Sequence, residues 1–172
     1  MQLQSFKAVM GALNTHDVRC LLVGGMAVVA HGHGRMTHDL DLVIKLEREN
    51  IIRTFQALAG LDYRPRVPVT AEAFADPNTR QGWIDEKNMT VLNLYSERFR
   101  TTPVDLFVEE PFDFEDTYAR AHVADVEGVA VRFVDLATLI AMKESAGRPI
   151  DLDDVRNLKL LEPADPPGEG PS

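Results

Sequence analysis

Cysteine is almost absent: Cys20 is the only one. That excludes an internal disulfide and any zinc site built on cysteine pairs. Long apolar runs are missing as well. No stretch of about 18 apolar residues exists, so no transmembrane helix is expected. The N-terminal "MQLQSFKAVMGALNTHDVR" lacks the continuous apolar segment and small-residue cleavage site of a secretory leader. These absences together lead to the expectation of a cytoplasmic protein with no membrane partner. Cations are in the minority, 18 Lys and Arg against 27 Asp and Glu, a net charge of -9. Coating nucleic acid requires neutralising its phosphates, so nonspecific DNA binding is disfavoured. A local basic cleft for one nucleotide or one RNA end remains compatible with that charge.

What is present suits one domain. The 172 residues are 45% hydrophobic and 26% charged, ordinary values for a chain that buries a core. Phe6, Val9, Met10 and Leu13 recur at helical spacing and predict a helix over 2–15. "RCLLVGG" reads as a short strand, "GMAVVAHG" as a short helix closed by Gly32, and "DLDLVIK" as a strand. "ERENIIRTFQALAG" reads as a helix with Gly60 as its stop. Residues 61–88 give a weaker signal, with helical turns in "TAEAFAD" and "NTRQGWIDEKN". "MTVLNLYS" and "TPVDLFVEE" are strands, and "HVADVEGVAVRFV" is a hairpin around Glu127-Gly128. "DLATLIAMKESAG" is a helix ending at Gly147, and "DLDDVRNLKLLE" a last helix capped by Asp151. The expected fold is α/β (α+β), a mixed β-sheet flanked by helices over residues 1–161. The Pro- and Gly-rich tail, 162–172, is expected to be disordered.

The chemistry concentrates in "GRMTHDLDLVI", residues 34–44. Strand side chains alternate between faces, so Asp39 and Asp41 point one way while Leu40 and Leu42 point to the core. Two carboxylates fixed on one face suit a hard divalent cation. Without a cation they repel each other, and one pKa must rise. Just upstream, "LLVGGMAVV" runs strand, Gly24-Gly25, helix. Glycines permit close approach of a ligand to the backbone, and the helix start favours phosphate. Asp105, between Val104 and Leu106, is a third carboxylate interrupting an apolar strand. If that strand lies beside "DLDLVI", the three acids meet. Two of them could then hold a pair of Mg²⁺ ions, and the third could activate an attacking hydroxyl.

"VGGMAVVAHGHGRMTHDLDLVI", with the later Asp105, resembles the nucleotidyltransferase superfamily and its DNA polymerase β-like fold. The "GRMTHDLDL" form and "LIAMKESAGRPIDLDDVRNL" resemble the bacterial abortive-infection toxins and the small antibiotic-modifying enzymes of that superfamily. The resemblance spans most of residues 20–160. It implies that Gly24 and Gly25 lie against a nucleoside triphosphate and that Asp39 and Asp41 hold Mg²⁺. Asp105 would deprotonate the acceptor, and as the third acid it would also serve as a metal ligand. It further implies that Lys143 reaches toward the triphosphate, while Arg35 and Thr37 support the phosphates or their loop. The commoner superfamily pair is Gly-Ser; here it is Gly-Gly followed by Met26, and a serine hydroxyl for phosphate is missing. The implied activity is Mg²⁺-dependent transfer of an NMP group from NTP to an acceptor hydroxyl, with release of pyrophosphate. The acceptor stays open between a tRNA end, a protein side chain and a small molecule such as an aminoglycoside or lincosamide. A toxin–antitoxin or abortive-infection role is one option, and a partner protein or homodimer could complete a chain this short.

Plainer explanations stand beside these. The fold could serve as a non-catalytic nucleotide-binding or partner-binding module. Lys143 could be a snorkelling surface residue. Asp151, Asp153 and Asp154 resemble a metal cluster, but capping and the helix dipole account for them. His31 and His33 close a helix and line a loop, with no further ligand near. His38 points to the face opposite Asp39 and reads as structural. Phe74 and Trp83 either stack on a base or pack in the core.

Overall fold

The computed structural model describes residues 2–161; the tail expected to be disordered lies outside them. Helix α1, Leu3–Thr15, buries Phe6, Val9, Met10 and Leu13, the face expected from their spacing. Strand β1, Cys20–Leu22, runs into α2, Gly24–Ala30. Then come β2, Leu40–Ile44, α3, Arg48–Ala59, and β3, Tyr63–Pro65. Two short helices, α4 (Ala71–Ala75) and α5 (Pro77–Lys87), occupy the stretch with the weaker signal. Strands β4, Val91–Ser96, and β5, Val104–Phe107, lead to α6, Phe114–Ala119. The hairpin is β6, His122–Val126, and β7, Val129–Phe133. Helices α7, Leu136–Ala146, and α8, Pro149–Lys159, end the described chain.

All seven strands join one mixed sheet in the order β3-β4-β5-β2-β1-β7-β6. The expected fold class therefore holds. Strands β2 and β5 pair in parallel, as do β1 and β7, and the remaining pairs are antiparallel. Leu40 and Leu42, Val104 and Leu106, and Leu92 and Leu94 are all buried. They face the core with Phe6, Met10, Ile51 and Leu58 of α1 and α3. Because side chains alternate along strands, residues 41, 105 and 93 turn to the other face.

Some local expectations need correction. Strand β3 and helix α6 were not anticipated; a three-residue strand carries no readable alternation, and α6 is six residues long. Gly60 caps α3 in an ordinary right-handed conformation (φ -61°), and the left-handed turn falls on Asp62. Asp151 does not cap α8: Arg148 occupies that position. Side-chain caps come instead from Thr70, Asp76, Asp113 and Asp135 on α4, α5, α6 and α7. The Glu127-Gly128 turn is as expected, with φ of 49° and 87°, the signs a two-residue hairpin loop requires. Phe74 is fully buried against Phe55 and Trp83, so it is a core residue. His31 bonds the Val134 carbonyl at 2.7 Å, a structural role. Among the described residues, no helix is long and apolar enough to cross a membrane.

Candidate active site

Strand register assembles the centre. Asp41 of β2 lies directly beside Asp105 of β5, and Asp105 beside Asn93 of β4. Paired strands are about 4.8 Å apart, so the three side chains form one row on the face away from the core. Asn93 donates from Nδ2 to Asp105 Oδ1 at 2.5 Å. Its own carbonyl oxygen accepts from the Arg66 guanidinium, which fixes the amide orientation. Asp39 stands one residue before β2 and is exposed.

Burial first, then the charges of Asp105 and Asp39, push the Asp41 carboxyl up to about 6. Lys143 and Arg148 act on it in the opposite direction. Burial also raises Asp105, against the Asn93 hydrogen bond, and Asp39 adds to the rise. Burial is thus the first cause of both shifts, and neighbouring carboxylates add to it.

The metal set needs correction in its geometry. Asp39, Asp41 and Asp105 were expected to converge as three ligands. Among the described residues, no three Asp, Glu, His or Cys side chains are gathered closely enough to hold a metal ion. Asp41 and Asp105 are adjacent, whereas Asp39 lies outside the strand that was to fix it. The donor set still fits a hard divalent cation in kind: three carboxylates, two of them raised first by burial.

Gly24 and Gly25 are explained first by the protein itself. Gly24 has φ +63°, and a Cβ there would sit 2.0 Å from Asp41 Oδ2. At Gly25 a Cβ would sit 2.5 Å from Thr37 Oγ1 and 3.4 Å from an Arg35 guanidinium nitrogen. The glycines let the β1–α2 corner close against Asp41 and against the loop that carries Arg35 and Thr37. No side chain caps α2, which leaves its first N–H groups without that partner.

Lys143 is not a surface lysine. It is 6% exposed, with Nζ 2.8 Å from Asp154 and 3.1 Å from Asp151. Arg148 holds Asp151 through Nε and Nη2, at 2.6 and 3.2 Å, and Arg35 pairs with Asp154. Asp151 and Asp154 are 1% and 2% exposed. Burial alone would raise the Asp151 carboxyl; Arg148 and Lys143 outweigh it and hold it below the usual range. Asp151 does lie in the first turn of α8, as the dipole favours, but neither it nor Asp154 caps the helix, and both are buried against cations. The two acids pair with three cations, Lys143, Arg148 and Arg35. Asp153 is different, an exposed acid paired with Arg156 at 2.9 Å.

Sequence reasoning did not assign Asn93, Arg66, Arg148 or Asp154 to the site. Asn93 interrupts an alternating strand as Asp105 does, and that signal was readable. Asp154 lies three residues after Asp151 and just before the buried Val155, a helical spacing that marks a buried face. Two spaces that share Asp41, Phe107, Met142 and Arg148 open at the centre. A cleft of about 610 Å³ has Asp41 and Asp105 at its wall, with Phe107, Phe112, Met142 and Arg148. A smaller one of about 140 Å³ joins Gly24, Asp41, Lys143 and Arg148.

Comparisons with known proteins fit this geometry. Residues 2–167 match the family described as "Nucleotidyltransferase of unknown function (DUF6036)". No curated protein matches the sequence. The fold is similar to that of the lincosamide antibiotic adenylyltransferase LnuA in its lincomycin-bound structure. That likeness has a TM-score of 0.61 and 14% identity over 92% of this chain and 96% of that one. ANT(2")-Ia in complex with adenylyl-2"-tobramycin gives 0.56 and 14%, over 93% and 94%. An antigenic nucleotidyltransferase-like protein from Paracoccidioides brasiliensis gives 0.52 and 18%, over 92% and 76%. At these identities the likeness is one of fold.

Proposed function

The chain belongs to the DUF6036 family of nucleotidyltransferases, and on that premise we propose that it moves an NMP group from NTP to an acceptor hydroxyl, releasing pyrophosphate. The observation that carries this is the register of Asp41 against Asp105 beside the Gly24 corner. Asp41 and Asp39 would hold Mg²⁺, Asp39 by turning its exposed side chain toward Asp41, and Asp105 is available as a further ligand. When bound, the ion would neutralise charge on the phosphates and on the carboxylates. Gly24 and Gly25 leave backbone close to the phosphates, and the uncapped start of α2 favours their charge. Lys143 and Arg148 make the wall behind Asp41 positive, and Asp151 and Asp154 hold those cations in place. Arg35, tied to Asp154, and Thr37, against Gly25, set the loop before Asp39.

Asp105 takes the acceptor proton. Asn93 occupies Oδ1 and leaves Oδ2 for it. Burial raises this carboxyl, which brings a base closer to the basicity its task needs. The fold neighbours LnuA and ANT(2")-Ia act on or hold antibiotic molecules by their names, and a hydroxyl acceptor is the part of that chemistry carried here.

Calorimetry with ATP, GTP, CTP and UTP, each with and without Mg²⁺, tests the proposal. Binding of at least one NTP that strengthens with Mg²⁺ is expected. Asp105→Asn should keep that binding and lose pyrophosphate release. NTP binding that ignores Mg²⁺, or full turnover by Asp105→Asn, would refute it.

A further inference from the structure

Nucleotidyl transfer needs an acceptor beside Asp105, on the side the triphosphate does not occupy. The cations divide in that way. Lys143 and Arg148 act on Asp41, whereas Arg66 is the cation acting on Asp105. Across the sheet from Asp105 come β4 and then β3. Tyr95 lies two residues beyond Asn93 on β4 and so shares its face. Arg64 of β3 is directly opposite Tyr95. The Arg66 guanidinium sits 5.0 Å from the centre of the Tyr95 ring while bonding Asn93.

Arg64 and Arg66 are exposed. Neither has a carboxylate ion-pair partner among the described residues. In a chain with net charge -9, two unneutralised guanidiniums at one aromatic ring, Arg66 over it and Arg64 opposite it in the strand register, are a local reversal of sign. Guanidinium and phenol faces stack on planar rings, and guanidinium forks bind phosphate.

We propose that Arg64, Arg66 and Tyr95 form the acceptor subsite and that the acceptor carries a phosphate and a planar ring, as a nucleotide does, free or at the end of an RNA. This rests on the nucleotidyl-transfer function above. The acceptor hydroxyl oxygen forms a bond to the α-phosphorus of NTP. The α–β P–O bond breaks, pyrophosphate leaves with that electron pair, and the hydroxyl proton goes to Asp105. A polycationic acceptor would meet the two arginines unfavourably.

The full chain is first saturated with a non-hydrolysable NTP analogue and Mg²⁺, then titrated with AMP, adenosine, tobramycin and a six-nucleotide RNA. AMP should bind at least about tenfold tighter than adenosine or tobramycin, the usual scale of one charge-assisted contact. Arg64→Ala and Tyr95→Leu should each weaken AMP binding by a similar factor while leaving the analogue's affinity unchanged. Arg64 is exposed, so its variant keeps the fold. RNA binding tighter than AMP assigns the acceptor to an RNA end, and equal binding assigns it to the free nucleotide. If the analogue binds but AMP does not, or if the two variants bind AMP like the parent, the subsite is overturned. If the analogue itself does not bind, nucleotidyl transfer fails and the acceptor assignment with it.

Discussion

Replacing Asp41 with Asn should make the metal-free protein more stable, and increasingly so as pH rises. In the fold, burial and the charges of Asp105 and Asp39 hold this carboxyl at about 6, against an ordinary 3.8. As pH rises, the unfolded chain loses the Asp41 proton first. Between the two values the unfolded state binds fewer protons than the native state, so stability falls with pH. The full penalty is present above the folded value and amounts to about 3 kcal/mol, at 1.36 kcal/mol per pH unit. Asparagine keeps the shape and has no charge to bury. The advantage of Asp41→Asn over the parent should therefore grow by about 2.5 kcal/mol between about pH 4 and about pH 8. Urea titrations of both proteins with a chelator present, at unit steps across that range, measure it. Adding Mg²⁺ at the upper end should restore part of the parent's stability, because an ion that binds only the native state stabilises it. A difference that does not change with pH, or an Asn variant that becomes the weaker protein at high pH, would refute the reasoning. Either result would mean that Asp41 is held by favourable contacts and serves the fold.

Gly24→Ala should lower the melting temperature and weaken NTP binding together. The left-handed backbone costs about 1–2 kcal/mol with a Cβ, and that atom would collide with Asp41; an unchanged melting curve would show that the corner can open. Lys143→Ala should cost about 3 kcal/mol in urea unfolding, because Asp151 and Asp154 lose a buried counter-charge and keep one arginine each. Lys159→Ala, which removes a half-exposed partner of Glu144, should cost under about 1 kcal/mol. Equal losses in the two lysine variants would contradict the buried network.

Much of this protein could be read from the chain alone. Helical spacing in α1, alternation in β4 and β5, and the glycine turn of the hairpin are short-range patterns, set by backbone geometry within a few residues. They were enough for the fold class and for singling out Asp41, Asp105 and Gly24. Carboxylates inside apolar strands stand out because burying them costs energy wherever the strand ends up.

Partnership across the chain was decided only in three dimensions. Whether Asp105 meets Asp41 depends on β5 pairing with β2 in a particular register, and a one-residue slip would turn Asp105 into the core. Asp39 read like Asp41 in the pattern, but strand pairing begins at Leu40 and leaves Asp39 exposed. Lys143 was expected to reach the triphosphate and Asp154 to serve the helix start, because sequence shows a charge without its partner. Packing α7 on α8 buries them together, and Arg35 joins Asp154 from 119 residues away. Gly24 was explained in sequence by a ligand, whereas the fold shows that its missing Cβ is the space Asp41 occupies. Local propensity fixes which residues make a strand or a helix; which charges end up facing each other depends on long-range register and burial, and only the folded chain sets those.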